Sequence, residues 1–85
     1  MKVPKRSIEI DGRKTSISLE DVFWTSLRKI AEERGGTLTW LVTGIDARRE
    51  AKNLSSAIRV FILEFYKDRS DRQARISEES KIAAQ

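Results

Sequence analysis

Eighty-five residues with no cysteine and no histidine make one small domain that has neither disulfides nor an ordinary zinc site to lean on, so association with another chain is the expected support. The same two absences remove most nucleophiles and general bases, and no enzyme activity, cofactor or metal is expected. A net charge of +4 suits a phosphate-bearing partner but is common among soluble proteins.

Residues 1–12 read as a basic N-terminal arm carrying Lys2, Lys5 and Arg6, with Pro4 opposing regular structure. The arm lacks the apolar core of a secretion signal, and no apolar run in the chain reaches the ~18 residues of a membrane span, so a cytoplasmic protein is expected. Ser7-Ile8-Glu9-Ile10 alternates like a short strand, and Asp11-Gly12 is a type I′ hairpin signal.

Arg13 to Leu19 alternates polar and apolar residues over a single strand. On a strand, residues two apart share a face, so Ile17 and Leu19 are expected in the core and Lys14, Ser16 and Ser18 outside it. A lone amphipathic strand has unpaired backbone on both edges, and the same strand of a second copy is its simplest partner. The residues therefore predict a mainly α chain with one short β-strand, closed into a homodimer through an intermolecular two-stranded ribbon. A narrow ribbon bearing lysine and serine twice over fits a DNA major groove.

Folding back at Asp11-Gly12 instead would make a four-stranded dimer sheet roughly 14 Å across, against a groove about 12 Å wide, and would bring Glu9 to the phosphates with the wrong sign. A bend turning the arm away from the ribbon is the preferred reading, and an intramolecular hairpin is the alternative.

The first helix is expected to start near Glu20, with Ser18 and Asp21 as a weak capping box. Phe23, Leu27, Ile30 and Ala31 form its apolar face, Trp24 sits at the border, and Gly35-Gly36 stops it. Thr37 is a candidate N-cap for a second helix bearing Leu38, Leu41, Val42 and Ile45. Asn53 then opens a third, carrying Leu54, Ala57, Ile58, Phe61, Ile62 and Phe65 and broadened by Val60 and Leu63. A stripe so wide implies burial against another subunit. Arg48, Arg49 and Lys52 read as a solvated helix end, and both tryptophans as packing residues. Residues 67–85 are charged and weakly periodic, and read as a frayed or disordered tail.

The strand Lys14-Thr15-Ser16-Ile17-Ser18-Leu19, then Glu20-Asp21, a helix ending Arg28-Lys29-Ile30-Ala31-Glu32-Glu33, a glycine turn and Thr37 resemble a ribbon–helix–helix repressor. The similarity extends over about residues 5–66, to a bacterial subfamily with the stretches KRSIEIDGRKTSISLEDVFW and NLSSAIRVFILEFY and an appended third helix. The resemblance implies an intertwined, obligate homodimer built on residues 13–66 that binds double-stranded DNA. In it Lys14, Ser16 and Ser18 read base edges, and the helix end at Thr37, Leu38 and Thr39 anchors a phosphate. Unpaired N–H groups and partial positive charge at a helix start favour a phosphate on physical grounds as well. Lys2, Lys5, Arg6 and Arg13 are placed to add sequence-independent attraction.

The leading expectation is a transcriptional regulator. Two competitors are an antitoxin whose C-terminal segment binds a toxin protein, and a protein-interaction module that docks through the third helix.

Overall fold

Asp11 and Gly12 turn the chain sharply, with φ of 50° and 78°, and the flanking residues zip into an antiparallel hairpin of β1 (Lys5–Ile10) and β2 (Arg13–Ser18). Positive φ at both central positions is what a type I′ turn demands, and Asp and Gly are residues that accept it. The structure is a computed structural model that describes residues 3–49 and 53–83, with side chains through residue 74. The expected bend is thus replaced by the hairpin. Among the described residues there are two strands rather than one, and β2 finds its first partner within its own chain.

The register pairs Lys5 with Ser18, Ser7 with Ser16, Ile8 with Thr15 and Glu9 with Lys14. Ile8, Ile10, Ile17 and Leu19 share the inner face and are buried. The hairpin won over the bend because two isoleucines of β1 enter the core only in this arrangement. Each buried aliphatic side chain contributes about 1.5–3 kcal/mol.

Three helices follow: α1 (Asp21–Glu33), α2 (Leu38–Arg48) and α3 (Leu54–Ala83). Glu20 is the N-cap of α1 with no side-chain cap bond, so the expected capping box is not formed. Gly35, at φ 72°, ends α1 as anticipated: its N–H donates to Glu32 O at 3.0 Å and that of Gly36 to Ala31 O at 3.0 Å, a Schellman closure. Thr37 Oγ1 accepts from the Trp40 N–H at 3.0 Å and caps α2. Asn53 Oδ1 accepts from the Ser55 N–H at 2.8 Å and caps α3.

The core joins the hairpin's inner face to Trp24, Leu27, Ile30 and Ala31 of α1, Leu41 and Val42 of α2, and Ile58 and Ile62 of α3. Trp24 and Phe23 exchange their expected roles. Trp24 is 1% exposed, whereas Phe23 is only partly buried. The cause is the hairpin, which brings the Arg6 guanidinium over the indole at 5.2 Å and closes the side of α1 that a bent arm would have left open.

The third helix runs on to Ala83, past the boundary near residue 66 where fraying is expected from composition. Ion pairs support it beyond that point: Arg69 to Glu33 of α1 at 2.5 Å, and Arg72 to Asp68 one turn away at 3.2 Å. Arg69 also stacks on Phe65 at 4.8 Å. Val60 and Leu63 of α3, with Trp40 of α2, remain at least half exposed. Among the described residues no helix is long and apolar enough to cross a membrane.

Because nothing lies within 4 Å of where a Cβ at Gly12 would stand, a substitution there tests backbone conformation alone. Gly12→Val is expected to cost about 1–3 kcal/mol in urea unfolding, whereas Asp11→Asn should be nearly neutral.

Candidate nucleic-acid interface

Hairpin pairing decides which side chains share the solvent face. Since cross-strand partners lie on one side of a sheet, the outer face carries Lys5, Ser7 and Glu9 from β1 and Lys14, Ser16 and Ser18 from β2. All are exposed except Ser18, which is partly covered. Lys14, Ser16 and Ser18 therefore lie in one row, as their spacing predicts. Arg6 and Arg13 lie on the opposite face, across from Ile17 and Ile10. Lys5 joins the lysine row, and Lys2 lies outside the described residues.

Ser7 and Glu9 belong to this surface although sequence reasoning leaves them out of it. The signal for them is present in the alternation of residues 7–10 and in the Asp-Gly pair; groove width argues against it.

The backbone of β2 has a second edge. The Leu19 N–H donates to Pro4 O at 3.1 Å, so the alternation of an antiparallel ladder makes Arg6–Ile17, Ile8–Thr15 and Ile10–Arg13 the hydrogen-bonded pairs. The N–H and C=O groups of Lys14, Ser16 and Ser18 then point away from β1. A strand edge of this kind is a template for another strand.

At the end of that edge, Arg59 of α3 donates from Nε (3.1 Å) and Nη2 (2.6 Å) to Glu20 Oε1, and from Nη2 to the Ser18 carbonyl at 3.4 Å. This fork ties α3 to the junction between β2 and α1, and its guanidinium also lies 5.8 Å from the Phe23 ring centre. The hydrogen bond from Arg59 is the main cause holding the Glu20 carboxyl below its ordinary value of 4.5; the bond from its own backbone and the Arg59 charge add to it. Arg69 likewise lowers Glu33.

At the start of α2, Thr37 Oγ1 occupies the Trp40 N–H, while the N–H groups of Leu38 and Thr39 have no acceptor among the described residues. Thr37 and Thr39 are exposed, and Leu38 packs against the core. The terminus thus keeps two free donors and the positive end of the helix dipole. Trp40 spreads its ring over Gly36, where any Cβ would collide with it. It is 52% exposed in the single chain.

A hairpin with a polar outer face, an open strand edge beside a helix pair, and a helix start with free N–H groups define the architecture of a known domain class. The family model described as the ribbon-helix-helix domain matches residues 3–66, and the chain belongs to that family. Its members generally bind DNA as transcription regulators through a non-enzymatic fold. Among solved structures, an uncharacterized protein from Bordetella pertussis Tohama I is similar, with a TM-score of 0.70 and 32% identity, over 82% of this chain and 60% of that one. The chain thus spans about three-fifths of that relative's length. No curated protein matches it.

Because the Glu20 pKa is lowered on folding, its contribution to stability is complete above the ordinary value of 4.5 and is lost as pH falls through the lower folded value. Arg59→Gln removes that contribution at neutral pH. Urea midpoints should therefore separate wild type and variant near neutrality, and the gap should narrow as pH falls below the ordinary carboxylate range towards what the Ser18 and Phe23 contacts of Arg59 leave.

Proposed function

We propose that the chain is a sequence-specific, DNA-binding transcription regulator that acts as a homodimer in the bacterial cytoplasm, as a repressor where its site overlaps a promoter. The observation that carries this reading is the open edge of β2 with Lys14 and Ser16 on the face beside it. Antiparallel addition of a partner's β2 satisfies the outward backbone groups. It also keeps Lys14, Ser16 and Ser18 of both copies on one solvent face, since paired residues share a face. The apolar side chains left exposed on α2 and α3, Trp40, Val60 and Leu63, support association as well.

On DNA the two central strands occupy the major groove. Lys14 donates to guanine O6 or N7, and the serines donate or accept while allowing close approach. Leu38 and Thr39 N–H groups hold a backbone phosphate, with Thr37 fixing the helix end, and Lys5 adds charge at the groove margin. Arg6 and Arg13 are left out of this surface because their strand positions face the core side. Toxin binding by residues 67–85 gains no support from the described side chains there: residues 67–73 are polar and exposed.

Purified protein should shift a labelled duplex with an affinity that falls as salt rises, and salt-independent or undetectable binding would overturn the DNA reading. Lys14→Ala should weaken a selected sequence by about 1–3 kcal/mol and random DNA by less.

The dimer is tested separately by Ser16→Pro. The Ser16 N–H points away from β1, so proline leaves the hairpin's own hydrogen bonds intact and blocks strand addition. A folded monomer by circular dichroism and light scattering is the expected result. A dimer that persists unchanged would show that the subunits meet elsewhere.

A further inference from the structure

The register of the hairpin sets Glu9 directly across from Lys14 on the outer face, and the proposal that follows rests on the DNA reading above. We propose that Glu9 is a specificity-determining residue that suppresses binding to non-specific DNA.

Three observations support it. Glu9 and Lys14 form a non-hydrogen-bonded pair, the closer type in an antiparallel ladder, with Cβ atoms about 4.5–5.5 Å apart. Glu9 is exposed, and among the described residues no ion pair engages it. Of the other basic residues of the hairpin, Arg6 and Arg13 lie on the opposite face, and Lys5 stands four residues along the same strand, whereas Lys14 is the direct cross-strand partner. Lys14 is therefore the cation placed to answer it.

In a dimer joined through β2, each β1 lies one strand spacing, about 4.8 Å, outside the base-reading row. The four strands span roughly 14 Å in a groove about 12 Å wide, which carries β1 to the sugar–phosphate rims. There the mismatch in width and sign becomes a device. On arbitrary DNA Lys14 gains only a phosphate contact, and the repulsion between Glu9 and the rim cancels it. At the preferred site Lys14 donates to a base edge at hydrogen-bond range, a local gain that Glu9 does not cancel.

Glu9→Gln keeps the size of the side chain and removes the charge. The two probes are a duplex selected from a random pool by the wild-type protein and poly(dI-dC). Affinity for poly(dI-dC) at low salt is expected to rise about fivefold and affinity for the selected duplex to rise less, so that discrimination falls. Glu64→Gln, the same charge change at an exposed position of α3, should leave the ratio unaltered. Equal gains on both probes would reduce Glu9 to a general charge effect and overturn the proposal, as would no change on either. Failure of the wild-type protein to bind any DNA would instead remove the DNA reading, and the inference with it.

Discussion

The pairing of β1 with β2 is the constraint on which the rest of this structure depends. It covers one edge of β2 and leaves the other open. It also divides six side chains per strand between a buried face and a wet one, and sets each residue of β1 against a chosen residue of β2. Without β1, strand 13–18 would have two bare edges and a half-covered Trp24. With it, the indole is sealed under Arg6 and the sheet needs only one further partner.

The helices convert that sheet into a platform. The Schellman closure at Gly35 and the Thr37 cap turn the chain between α1 and α2 within a few residues, so the start of α2 is held rigidly relative to the core. The Arg59 fork does the same work from beneath, fastening α3 to Glu20 and to the last carbonyl of β2. A surface that reads a rigid duplex benefits from such bracing, because each loosened contact lowers discrimination as well as affinity. The exposed salt links along α3 contribute less individually, since water screens them. Their effect is to favour a continuous helix where composition alone favours fraying.

Much of this is legible from residue order. Ile17 and Leu19 inside with Lys14 and Ser16 outside follows from a period of two, and the caps at Thr37 and Asn53 and the stop at Gly35 follow from side-chain and backbone chemistry confined to a few neighbouring residues. The hairpin is visible too, in Asp11-Gly12 and the alternation before it. The fit of a four-stranded sheet to a groove weighs against it, but the burial of Ile8 and Ile10 outweighs that fit. Trp24 departs from its border position for the same reason: whether such a position on a helix is covered depends on what arrives from elsewhere in the chain.

Local chemistry in the sequence determined the strand faces, the three helix starts and the family to which the chain belongs, because periodicity, capping and turn preference act over a few neighbouring residues. Only the tertiary structure decided that β1 folds onto β2, that Arg6 and Arg13 turn to the core side, that Glu9 stands beside Lys14, and that α3 continues to Ala83. Those outcomes depend on which surfaces the hairpin and helices bury against one another, where the free energy of burial outweighs local preference.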